Sequence, residues 1–404
     1  MIRRAWLYYL PLLFLPNLGA SQATQFGSLE LSDYLIGPYL ILVFVAAKLG
    51  KPMLIDRVVR LMVLFAVWAL VSTVLINFRF GYTDTYYMVF SLLKLAKFIL
   101  YGVAGLLTIK AITDDRARRS IARSLLVAGI IAGISVALVN KATLKNPIAG
   151  LDPSAGYKAS NGISVMVAVM ACYLGGLWLQ RKGMTRWTRR FVLIALSAMA
   201  AGSALSAGRG GWIAGLAGLI YISYRARLRR EFIAIAIGAP LLLFVLYRTV
   251  PVFHQRVYFT FFAENRYGGT ARSAIDDGAR IDEWKHGIEQ FGSPVWGTGF
   301  FHRGGESGLY TTGSHNFFLQ MFLETGIVGG GLMLAIFCAL WRQAGSLQAR
   351  RARLDLPVKS ALVAAIVGGS VGNTIMAASS YFLYSPCMQP AARFRRNFRL
   401  GRSC

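Results

Sequence analysis

Acidic side chains are scarce in this chain: 17 Asp and Glu stand against 44 Lys and Arg, with only four histidines. No HExxH or comparable ligand set occurs, which argues against a catalytic metal. The four cysteines, Cys172, Cys338, Cys387 and Cys404, are scattered without CxxC spacing, so neither a disulfide framework nor a zinc site is expected. No GxxxxGK[ST] loop is present to cradle a nucleotide. Charge of either sign is thin, at 15% of residues, while 55% are hydrophobic. With a mean hydropathy of +0.51, this is no soluble domain. A net charge of +27 would suggest nucleic acid in a soluble protein. Here the basic residues fall mostly in short loops between apolar runs, where they set topology and meet membrane lipids. No nucleic-acid recognition fold is visible.

What is abundant is apolar sequence. Runs long enough to span a bilayer fall at about 5–20, 33–49, 61–77, 88–109, 120–139, 162–179, 191–207, 210–224, 232–250 and 315–341. The stretch 360–390, broken by Gly368-Gly369, Gly372-Asn373 and Ser385-Pro386, reads as two short spans. The first run follows Arg3-Arg4 and could mimic a signal peptide, but many spans follow it, so a retained helix is expected. The fold class is therefore all-α, a polytopic helical membrane protein of about twelve transmembrane helices with a helical loop subdomain between late spans.

Basic clusters mark every second connection: Arg3/Arg4, Lys48 to Arg60, Lys110 to Arg123, Arg181 to Arg190, Arg225 to Arg230 and Arg342 to Lys359. By the positive-inside rule these face the cytoplasm, as does the tail from Arg393 to Arg402. Four regions follow: a bundle over 1–250, an outward loop subdomain over 251–314, further spans over 315–392, and a basic cytoplasmic tail over 393–404. Within the loop subdomain, the aromatic stretch from Phe253 to Phe262 suits a helix lying in the interface. Ile281, Trp284, Ile288 and Phe291 recur at helical spacing.

Four outward features could carry chemistry. His315 opens the apolar span after the loop, where an imidazole of ordinary pKa could take a proton from a hydroxyl. Its plainer reading is a headgroup-level histidine beside a helix capped by Ser314. Arg209, in Ser206-Ala207-Gly208-Arg209-Gly210-Gly211-Trp212, places a guanidinium at a helix start, a combination suited to phosphate oxygens. The alternative is an arginine snorkelling from a short turn. Arg280, with Arg256, Arg266 and Arg272 upstream, forms an outward cationic group that topology does not explain. A structural partner for Asp276, Asp277 or Asp282 is the competing role for Arg280. The loop 140–161 adds Lys141, Lys145 and Lys158, which can equally be solvated loop lysines.

Three of these stretches together resemble the O-antigen ligase/polymerase superfamily. The Ser206–Trp212 turn is similar to its S-x-x-R-G-x-W turn, departing in the small Ala207-Gly208 pair. Arg280-Ile281-Asp282-Glu283-Trp284 with Trp296-Gly297-Thr298-Gly299 resembles its R-x-x-x-W … G-x-G loop. His315-Asn316 with Glu324-Thr325-Gly326 and Gly329 resembles its H-N … E-x-G-x-x-G helix, and ten residues separate His315 from Gly326, as in the ligases.

The resemblance implies a bacterial inner-membrane glycosyltransferase with both termini cytoplasmic and a periplasmic active site. Such enzymes move a glycan from an undecaprenyl-pyrophosphate carrier to lipid A–core, without metal, ATP or other cofactor. It implies His315 as general base and Arg209 and Arg280 on the pyrophosphate. Arg272, Arg266 and Lys158 join them as substrate-binding residues. The alternatives are a polymerase of the same superfamily, extending the glycan on its carrier, and a membrane transporter. A transporter would place ionisable groups within the spans, where Lys94 and Lys97 are the clearest charges.

Overall fold

The computed structural model describes residues 23–24, 27–28, 31–46, 57–80, 85–111, 157–179, 186–206, 209–227, 293–300, 316–345 and 355–371. It also describes single helical positions between 127 and 134, between 241 and 254, and at 285, 288 and 289. These described residues are helical almost throughout. A two-residue antiparallel pair, β1 (Ala23–Thr24) and β2 (Gly27–Ser28), precedes eight helices. They are α1 (Leu31–Ala46), α2 (Arg57–Phe80), α3 (Thr85–Ala111), α4 (Tyr157–Leu179), α5 (Arg186–Ser206), α6 (Arg209–Arg225), α7 (Phe317–Ala344) and α8 (Asp355–Val371). Each overlaps a run expected from the sequence, with α8 covering only the first part of 360–390. The runs near 5–20, 120–139 and 232–250 lie wholly or largely outside the described residues, as does the chain after Val371.

The pattern of burial explains why these helices suit a membrane better than water. Along α1, Tyr39 and Val43 are fully buried, whereas Ile41 is 67% exposed and Phe44 and Val45 are also exposed. On α2, Phe65 and Ala69 face inward while Val63, Leu64, Val67, Leu70 and Val71 face outward. An apolar helix with apolar residues on its outer face has no reason to be stable in water and every reason to be stable in lipid. Arg57–Ile76 within α2 and Phe317–Ala344 are each long and apolar enough to cross a bilayer, and shorter apolar helices accompany them.

Two packed groups meet at α7. In one, α3 lies between α1 and α2, with Tyr39 and Thr108 sharing a 2.6 Å hydroxyl hydrogen bond. In the other, α4, α6 and α8 pack mutually and α5 lies against α4. Small residues permit that approach. A Cβ on Gly211 would stand 2.7 Å from the Ser164 backbone of α4, and one on Gly368 would stand 3.2 Å from Ala214. Helix α7 touches α2 on one side and α8 on the other, joining the groups.

The contacts also fix helix direction. Gly211 meets Ser164, and further along Gly175 lies beside Ile222, so α4 and α6 run parallel. At the far end the Lys359 ammonium stands 4.9 Å over the Trp341 ring, and Trp341 meets Tyr221 edge-on at 5.8 Å. The starts of α4, α6 and α7 therefore share the opposite end of the bundle.

Candidate functional site

Helix α7 is the element that carries the histidine stretch, and it is broken. Asn316 caps it in extended conformation (φ −133°, ψ 110°), its side-chain oxygen accepting from the N–H groups of Phe318 at 3.0 Å and Leu319 at 3.1 Å. The cap is thus Asn316 and not Ser314, which leaves His315 immediately before the cap instead of inside the helix. Nine residues into the helix, Gly326 adopts φ 68° and ψ −175°, outside helical space and close to glycine-only territory. The backbone groups this break frees need partners, since an unpaired buried peptide group is costly.

A loop supplies the partners. Residues 293–300 turn on Ser293, whose carbonyl accepts from Gly297 N–H at 2.8 Å. The Thr298 N–H then donates to Leu323 O at 2.9 Å and the Gly299 N–H to Glu324 O at 2.8 Å. In return the Ile327 N–H donates to Pro294 O at 2.8 Å. The Thr298 hydroxyl also donates to Leu323 O, at 3.2 Å. Gly297 and Gly299 both have positive φ, 71° and 96°. A Cβ on Gly297 would sit 2.6 Å from Gly326 N, so the two strands of backbone are in direct contact. The G-x-G loop and the E-x-G helix, separate motifs in the sequence, are one interlocked unit in the fold.

The unit is clasped by α2. The Trp68 indole N–H donates to Thr325 O at 2.7 Å, and its ring stacks on Trp296 at 4.8 Å and 9°. The Ser72 hydroxyl donates to Trp296 O, and the Thr73 hydroxyl oxygen accepts the Phe300 N–H at 3.0 Å. Phe300 is buried edge-on against Phe65 at 6.1 Å and Phe98 at 6.3 Å. Residues 293–300 belong to the stretch the sequence assigns to the outward loop, yet they pack against the middle of α2.

Beside the break, Glu324 is buried, and the Gln320 side-chain N–H donates to its carboxylate. The Gln320 side-chain oxygen is buried and has no hydrogen-bond partner among the described residues. Glu324 carried no assigned role in the sequence, and Trp68, Ser72 and Thr73 were missed. Their signal was faint: one tryptophan and a Ser-Thr pair within an apolar run.

Of the expected site residues, Arg209 is the first residue of α6 and Lys158 lies in the first turn of α4, at the same end of the bundle as the α7 cap. Their side chains, and the whole of His315, Arg266, Arg272 and Arg280, fall outside the described residues. Among the described residues no three His, Cys, Asp or Glu come together as a metal-ligand set.

The family model described as O-antigen ligase matches residues 194–334, from α5 through the interlocked loop and break to the middle of α7. No curated protein matches the chain.

Proposed function

We propose, from the match of residues 194–334 to the family model described as O-antigen ligase, that the protein is a lipid-linked glycan ligase. It transfers O-antigen glycan from undecaprenyl pyrophosphate to a sugar of lipid A–core on the periplasmic face of the bacterial inner membrane. The observation that carries this reading is the interlock of residues 293–300 with Leu323–Ile327, because it joins the G-x-G motif to the E-x-G motif through three backbone hydrogen bonds and the glycines of both.

The acceptor hydroxyl is a poor nucleophile. His315 takes its proton as the oxygen attacks the anomeric carbon of the donor glycan. One C–O bond forms to the acceptor and one breaks to the lipid pyrophosphate, whose departing negative charge is held by Arg209, Arg280 and Arg272. Lys158 and Arg266 extend the cationic surface that attracts the donor. Twelve or so spans keep the polyprenyl tail and the acceptor lipid in the bilayer while the reacting groups meet above it.

A polymerase would use the same machinery and differ in its acceptor, and the ten residues between His315 and Gly326 favour the ligase. A carrier would leave the broken-helix carbonyls open to its cargo. Here Thr298, Gly299 and Trp68 close the carbonyls of residues 323 to 325. The test is reconstitution of purified protein with an undecaprenyl-pyrophosphate-linked oligosaccharide and lipid A–core, with chelator and without ATP. Glycan on lipid A–core supports the ligase, a longer glycan on the carrier supports the polymerase, and neither product overturns both.

A further inference from the structure

Helix α2 lies outside residues 194–334, yet three of its side chains hold the interlock shut. We propose that Trp68 and Thr73 are positioning residues for the transfer reaction, clamping the 293–300 loop into the break of α7 so that the Arg280 and His315 stretches keep one fixed separation. The proposal rests on the ligase reading for the reaction it positions.

The loop and the broken helix touch through backbone, and such a joint can slide unless something pins both partners at once. Trp68 does this from a third element: its indole N–H holds the helix at Thr325 O while its face holds the loop at Trp296. Thr73 pins the other end of the loop through Phe300 N–H, its own hydroxyl donating to Ala69 O at 2.7 Å within α2. Both residues are spent on fixing backbone, and α2 reaches the loop from the opposite end of the sequence. In the sequence Arg280 stands on the N-terminal side of the 293–300 loop and His315 directly precedes the Asn316 cap, so the joint is where the two segments that carry them meet among the described residues. A displacement of about 1 Å between reacting groups can cost on the order of 100-fold in rate.

The test compares Trp68→Phe, Thr73→Val, Thr73→Ser and His315→Ala in the reconstituted assay, using protein that elutes as a folded peak in detergent. Trp68→Phe keeps the stacked ring and removes the indole donor. Thr73→Val keeps the shape and removes the acceptor, whereas Thr73→Ser keeps the acceptor. The expected result is kcat lowered about 10-fold or more for Trp68→Phe and Thr73→Val, donor KM within about 2-fold of wild type, and near-normal kcat for Thr73→Ser. Wild-type kcat per folded molecule in both deficient variants, or a rise in KM alone, overturns the proposal while leaving the ligase reading intact. Full activity in His315→Ala instead overturns the general-base assignment, and absence of product on lipid A–core from the wild-type protein overturns the ligase reading and the positioning role with it. Should Trp68→Phe not fold, the valine–serine pair at position 73 decides.

Discussion

Gly326 and Val295 meet backbone to backbone: a Cβ on Gly326 would collide with the Val295 carbonyl oxygen. The same residue holds φ 68° and ψ −175°, so side chain and conformation are excluded together. Gly326→Ala should therefore destabilise the folded protein by about 2 kcal/mol or more, since one such backbone position alone costs about 1–3 kcal/mol. Gly331, five residues on, has no atom of the described residues within 4 Å of its Cβ position. Gly331→Ala should be neutral or stabilising by about 0.5–1 kcal/mol, as expected of glycine in a helix. Thermal unfolding of both variants in detergent checks the contrast.

Glu324 accepts a hydrogen bond from Gln320 inside the bundle. Glu324→Leu leaves the Gln320 amide without its acceptor and should cost about 1–3 kcal/mol. Glu324→Gln retains an oxygen in the same place and should lose less. Equal unfolding midpoints for the two variants would show that the carboxylate oxygen is dispensable.

Asn316 satisfies two of the free N–H groups at the start of α7. Asn316→Ala should lower stability by about 1 kcal/mol, with Asn316→Ser much closer to wild type. Because His315 directly precedes the cap, the alanine variant should also lose turnover and the serine variant should keep most of it. Unfolding curves and transfer rates measured on the same preparations separate the two effects.

Gly211 lies against the Ser164 backbone, two residues after Arg209. Gly211→Ala forces α6 away from α4 and moves the helix start that carries Arg209. Donor KM should rise, while Gly331→Ala, remote from this contact, should leave it unchanged. Steady-state kinetics with the undecaprenyl-pyrophosphate-linked donor provide the check.

Much of the architecture was legible because lipid imposes a simple rule: apolar runs of the right length become helices. The runs near 61–77 and 88–109 correspond to Arg57–Phe80 and Thr85–Ala111, lengthened at both ends by turns that polar residues can join. The break in α7 was not legible. Phe317–Ala344 is one apolar run with several glycines, and only the docking of residues 293–300 distinguishes Gly326 from Gly329, Gly330 and Gly331. The clasp was hidden for the same reason, since the partners Trp68 and Thr325 are 257 residues apart. The family resemblance marks Gly297, Gly299, Gly326 and Gly329 alike, but it does not show which of them touch. The plainer reading of the sequence places the cap at Ser314, whereas the helical turn begins two residues later, on Asn316.

Transfer by His315→Ala is the most direct measurement of the central claim. Wild-type and variant protein are reconstituted with the undecaprenyl-pyrophosphate-linked oligosaccharide and lipid A–core, and product on the acceptor is followed over time. If His315 is the general base, the variant inserts and folds but loses about 100- to 10,000-fold in rate, the usual contribution of such a group. Product formed at the wild-type rate would contradict the assignment.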